Sequence, residues 1–294
     1  MRVTAPISGR ARDAALERIR ALLRGSSTDD FGSADDFADA VVDEIADAYG
    51  AQFSTARARA AVKRTTESIY RYYRLRDHSP FGGDDPPVKL RFGGADKRAA
   101  KFFGGLDHFY FSTFVDNRRD ELKSFLRDEY LEKGAALFGR GTSEELDDFR
   151  KAAGGKLDNL SDFATETIVQ SSVQRIRNYA HFGSLSQAEV EYAKIVVIED
   201  GKCTTNICPT LDGKLVKVSV AAATVERLSK LEPGDYALDL YKSDLGRVFA
   251  SDPVGYVKGR FGDEHIDDDL VAEGRGFPPF HPRCRCRVEG VIEK

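Results

Sequence analysis

The chain has 294 residues, a formal net charge of −4, 41% hydrophobic and 31% charged residues, which is ordinary for a soluble globular protein and long enough for two domains with cores of their own. The mild acidity argues against a dedicated nucleic-acid binder, which carries a basic excess. No apolar run approaches the ~18 residues of a membrane span, and the opening Met1-Arg2-Val3-Thr4-Ala5-Pro6 has no apolar signal core, so an oxidising compartment is not implied.

The first half reads as helical. Ala15, Leu16, Ile19, Leu22 and Leu23 recur at a helical period over Ala11 to Leu23, and Gly25-Ser26-Ser27 breaks the run. A second helix is predicted from Ser33 to Tyr49. Ser33 is its candidate N-cap, with Asp35 and Asp36 in the first turn, where negative charge suits the helix dipole. A third is predicted from Ser54 to Leu75. Its tail, Ile69-Tyr70-Arg71-Tyr72-Tyr73-Arg74, could stack on bases, but fits better as a core stripe with arginines on the wet side. Ser79 to Ala95 reads as a long loop or short hairpin. Ala99 to Glu129 holds more helix, with an aromatic patch at Phe102, Phe103, Phe109, Tyr110, Phe111 and Phe114 that suits a core or a subunit interface. After a break at Gly154-Gly155, a long helix is predicted from Lys156 to Phe182, with Gly183 as its C-cap.

The character changes after Ser186. Glu191 to Glu199 is β-rich, and Leu215 to Val220 reads as a second strand after the turn Leu211-Asp212-Gly213-Lys214. The two should form a hairpin. A short helix fits Ala223 to Leu231 and a final strand Arg285 to Ile292, while residues 233–276 give no clear pattern. The acidic run Asp263-Glu264 and Asp267-Asp268-Asp269 lacks the spacing of a calcium loop and reads as a solvated surface. The fold class expected is therefore α+β: a mainly helical N-terminal domain over residues 1–153, then a small metal-stapled α+β domain over 154–294.

The cysteines fall in two tight pairs, Cys203 with Cys208 and Cys284 with Cys286. On an extended segment, residues i and i+2 point to one face, so Cys284 and Cys286 would project two thiolates toward one point. Four residues separate Cys203 from Cys208, the wide end of the window for a zinc loop. A structural Zn²⁺ held by Cys203, Cys208, Cys284 and Cys286 is the reading preferred over reduced thiols or disulfides. His281 stands as a ligand, as a group that orients a ligand, or as a solvated loop residue; the second suits a site that four thiolates already fill. Pro278, Pro279 and Pro282 stiffen the approach.

Other chemistry finds little support. No GxGxxG, Walker or Gly-x-Ser-x-Gly pattern occurs. A metal-dependent nuclease would need a histidine base beside the finger, and neither His265 nor His281 stands in an Asp-His or His-Asn pairing. His108 sits among aromatics and reads as a core or interface histidine.

Three segments together resemble the phage Mu F-like minor head protein family, also called head morphogenesis proteins. They are Arg175-Ile176-Arg177-Asn178-Tyr179-Ala180, Asp200-Gly201-Lys202-Cys203 through Cys208 to Leu211-Asp212-Gly213, and Pro278-Pro279-Phe280-His281-Pro282-Arg283-Cys284-Arg285-Cys286. The last is the specific one, and the resemblance covers roughly the C-terminal 140 residues. In that family two residues commonly separate the first cysteines, against four here. The resemblance implies a non-enzymatic virion component near the portal vertex, formed in the host cytoplasm during assembly. Its expected partners are the portal protein, the major capsid protein or packaged DNA, met through surfaces such as Phe109-Tyr110-Phe111. A metal-dependent nuclease or a DNA-binding zinc-finger protein is the alternative.

Overall fold

The computed structural model describes residues 5–113, 115–133, 143–198, 207–235, 264–280 and 284–292. The chain is a mainly helical α+β protein, as its patterning predicts. Its elements run α1 (Ala5–Gly25), α2 (Ala34–Phe53), α3 (Ala56–Leu75), α4 (Gly94–Ser112), α5 (Arg119–Lys133), α6 (Ser143–Gln187), β1 (Tyr192–Val196), α7 (Ile207–Leu211), β2 (Leu215–Lys217), α8 (Val218–Leu228), α9 (Asp268–Ala272) and β3 (Arg287–Gly290). It divides into two compact units, each drawn from two stretches of sequence: residues 1–62 with 108–166, and 63–107 with 167–294. Position 153/154, where the sequence suggested a division, lies within α6.

In the first unit, α1 packs on α2 and α2 on α5. Ser33 caps α2 as expected, its hydroxyl accepting from the Asp36 amide at 3.1 Å. The apolar stripes Ala15, Ile19 and Leu23 of α1, and Phe37, Val41 and Ile45 of α2, are buried. Polar contacts lie outside that core: Arg119 reaches Asp39 and Asp43 at 3.0 and 2.7 Å. The expected break at Gly154-Gly155 is absent. Glycine weakens a helix by roughly 1 kcal/mol against alanine without forbidding it. At Gly154 the helix lies against α1, where an added Cβ would stand 3.5 Å from Leu16 Cδ1.

The second unit is organised by the C-terminal half of α6. Tyr70, Phe103, Tyr179, Phe182 and Phe277 form a chain of ring contacts, 5.0 to 6.1 Å between centroids. Around it lies a polar net. Arg74 donates to Asp96 at 2.8 Å, to Ser184 at 3.2 Å and to Gln187 at 2.7 Å, all but Gln187 being buried. That net overturns the role expected for Gly183. It does not cap α6, which continues to Gln187; it admits Arg74, whose Nε would lie only 3.1 Å from an added Cβ. The helix ends instead on Glu189, at φ 57°, with the Val190 amide bonded to the Leu185 carbonyl at 3.0 Å.

The sheet has the order β2-β1-β3, all antiparallel, so the predicted β1–β2 hairpin is present. Ala193, Ile195, Val216 and Val288 bury one face at the strand period. β2 is shorter than expected, because the chain turns into α8 at Val218 instead of extending to Val220. The β2 edge is covered, which blunts its tendency to pair with other chains, and the end of β3 is closely packed. Leu215 exchanges backbone hydrogen bonds with Glu264 and Ile266, both at 2.9 Å, and the Pro80 carbonyl lies 3.2 Å from where a Gly290 Cβ would stand. Ser79 to Ala95 holds a 3-10 turn, Ser79–Phe81, and no hairpin. In the acidic run, Asp267 caps α9 by accepting from the Asp269 amide, with Asp268 and Asp269 exposed in the first turn; Asp263 lies outside the described residues.

Candidate metal centre

Three cysteines from two distant segments meet in the second unit. Cys208 comes from the first turn of α7, in the connection between β1 and β2. Cys284 and Cys286 come from the extended segment leading into β3. The Sγ atoms of Cys208, Cys284 and Cys286 all lie within 4.8 Å of one another, and each residue is at most 2% exposed. Arg285 between them is less buried, the alternation that an extended segment imposes. Cys203 and His281, the other two residues expected at the site, lie outside the described residues.

The backbone around the cluster is fixed from several sides. The β1–α7–β2 connection closes on the expected turn, where Gly213 adopts φ 77° and its amide bonds the Ile195 carbonyl at 2.9 Å. The Asp212 side chain accepts from the Val197 amide at 2.8 Å. The β1–β3 ladder stops at Val196 opposite Arg287. One residue beyond, the Cys286 carbonyl accepts a hydrogen bond from the Asn178 side chain of α6 at 3.0 Å.

The closeness of the sulfurs sets the electrostatics of the cluster. The neighbouring Cys284 and Cys286 sulfurs, and then burial, push the Cys208 thiol far above its ordinary range. Thiolates packed so closely repel one another, and a bound metal ion reverses that balance by taking them as ligands. A Zn–S bond of about 2.3 Å sets tetrahedral sulfurs roughly 3.8 Å apart. The sulfurs therefore stand near ligating separation, and the residues fit a thiolate-bound metal ion.

The histidines singled out in the sequence fall elsewhere. His265 is exposed at the edge of β2, its ring 4.9 Å from that of Tyr192. His108 bonds the Phe53 carbonyl at 2.8 Å, the structural role expected. The sequence reading passed over His181. It is fully buried and its Nε2 lies 3.0 Å from Asp77 Oδ2, a partner 104 residues away. Burial, and then the positive charges of Arg177 and Arg287, keep His181 below the ordinary histidine value against the pull of Asp77. Burial raises the Asp77 carboxyl, but hydrogen bonds from His181 and the Ser79 amide outweigh it and hold the group well below the usual carboxylate range. No local motif announces such a pair. The signal for Asn178 was present but faint: an amide in the middle of the apolar run Ile176, Tyr179 and Ala180.

The aromatic patch resolves as core. Phe102, Phe103, Tyr110 and Phe111 are buried and Phe109 is half-buried, so Phe109-Tyr110-Phe111 exposes little apolar surface; Phe114 lies outside the described residues. In the arginine-aromatic tail of α3, Tyr70 is core and Arg71 is on the wet side, over the Phe92 ring at 4.1 Å, with Tyr72 exposed beside it; Arg74, expected on the wet side too, is buried. Among the described residues no helix is long and apolar enough to cross a membrane. In comparisons with known proteins the chain matches no family model, no curated protein and no solved structure.

Proposed function

We propose that the protein is a minor structural component of a phage or prophage head, and that its second unit is held together by one zinc ion. The ligands are Cys208, Cys284 and Cys286, with Cys203 as the fourth. The convergence of three buried sulfurs carries the metal reading. Soft thiolate donors select zinc, copper(I) or iron–sulfur clusters. Zinc, which has no redox chemistry and takes a closed tetrahedral shell, fits a structural role. A site filled by four thiolates leaves no open position for substrate, so the ion acts as a staple between the β1–β2 connection and the segment before β3.

The head-assembly reading rests on the Mu F-like resemblance of Asp200 to Gly213 and Pro278 to Cys286. It places the protein in the virion head, reached from the host cytoplasm during assembly, with the portal or major capsid protein as partner and packaged DNA as a further contact.

Native mass spectrometry on protein purified without chelator tests the staple; one bound zinc is expected. Co-expression with the portal protein of the same genome tests the assembly role, and co-purification is expected. Metal-dependent DNA cleavage that disappears in His265→Ala or His281→Ala would overturn that role in favour of a nuclease.

A further inference from the structure

Asn178 occupies an expensive position. It is fully buried in the interior of α6, where asparagine is a poor helix former and an unpaired amide costs free energy. Its Nδ2 donates to two carbonyls, both at 3.0 Å: Gln174, one turn back in its own helix, and Cys286. The second bond falls where the sheet gives out. The β1–β3 ladder ends at Val196–Arg287, and the Val197 amide has turned to Asp212. The Cys286 carbonyl is thus met by a side chain reaching across from α6. The amide orientation follows from its partners, since the flipped rotamer would set Oδ1 against two carbonyl oxygens.

From this we infer that Asn178 is a positioning residue of the thiol cluster: it anchors the Cys286 carbonyl to α6 and so sets where Cys284 and Cys286 present their sulfurs to Cys208. The inference deepens the zinc reading and rests on it for its metal readout, but not for its thiol readout. A group that orients a metal ligand typically changes metal affinity 10- to 100-fold when it is lost. Anchoring through a main-chain carbonyl also leaves the cysteine side chain free to turn its sulfur toward the ion.

Asn178→Leu tests it, since the isobutyl group keeps the shape and carries no donor. Asn178→Ser is the second variant should the first fail to fold, because a hydroxyl is too short to reach. Thr66→Val is the control: Thr66 is equally buried in the same unit but bonds Asp107, away from the cysteines. Zinc affinity by chelator competition is expected to fall roughly 10- to 100-fold in Asn178→Leu and to stay within twofold in Thr66→Val. With cobalt(II) in place of zinc, the thiolate-to-metal absorption should shift in the Asn178 variants alone. Alkylation of Cys284 and Cys286 in metal-free protein, read by mass spectrometry, should be faster in the Asn178 variants than in the wild type or the control. If the wild type takes up no metal, the zinc reading fails, and the alkylation rates alone decide the positioning role. Unchanged alkylation in a folded Asn178 variant, or equal loss of zinc affinity in Thr66→Val, would overturn it.

Discussion

At the residue scale, the cysteines and the Asp77–His181 pair behave in opposite ways toward charge. Cys208, Cys284 and Cys286 crowd their sulfurs together, so each thiolate makes the next harder to form unless a cation is present. Cys284→Ser is therefore expected to abolish stoichiometric zinc, while His281→Ala keeps it with affinity weakened roughly 10- to 100-fold. Metal content after gel filtration checks this, and equal loss in both variants would make His281 a ligand. The Asp77–His181 pair predicts acid sensitivity. A depressed folded-state value means that the unfolded chain binds protons more readily than the folded one, so stability is present at high pH and lost on acidification. For His181 the loss should begin as pH falls through its ordinary value of 6.5, and for Asp77 below its ordinary 3.8. The urea midpoint should accordingly drop between pH 7 and pH 5, and His181→Gln should flatten that part of the profile.

At the scale of elements, the polar net around Arg74 ties α3, α4 and the end of α6 within the second unit. Arg74 and Asp96 are 4% and 7% exposed, so removing one partner strands the other's charge out of water. Arg74→Ala is expected to cost about 3–5 kcal/mol, the usual penalty for breaking a buried ion pair. Chemical denaturation measures this directly; a loss below about 1 kcal/mol would put the pair among surface bridges. Glycines show how closely elements approach here. A Cβ on Gly290 would lie 2.6 Å from Leu185 Cδ2, so Gly290→Ala should force β3 away from the end of α6 and lower the melting temperature. Gly183→Ala should also destabilise, because the atom it crowds is Arg74 Nε, which the bond to Asp96 holds in place.

At the scale of the whole molecule, a zinc staple would join two parts of the second unit that are distant in sequence, so chelation should act there first. Hydrogen exchange after removal of metal is expected to speed up over α7 and β3 while α1 and α2 stay protected. Uniform acceleration across the chain would mean that the ion is not a local staple.

Much of this was legible in the amino-acid order, for reasons that act over short range. The helical period of α1 and α2, the Ser33 cap, the Asp212-Gly213 turn, the β1–β2 hairpin and the i, i+2 geometry of Cys284 and Cys286 each follow from neighbouring residues. The mainly helical α+β class followed from those elements together. What the sequence could not fix was decided by contacts between residues far apart. Gly154 and Gly183 carry the local signature of helix breaks, yet both lie inside α6, with Leu16 beside the one and the Arg74 net beside the other. The same holds for the burial of Tyr110 and Phe111, the pairing of Asp77 with His181, and the bond from Asn178 to Cys286. Local propensity is worth tenths of a kcal/mol per residue, whereas a buried contact or unmet polar group is worth about one to several. Where the two conflict, tertiary packing wins.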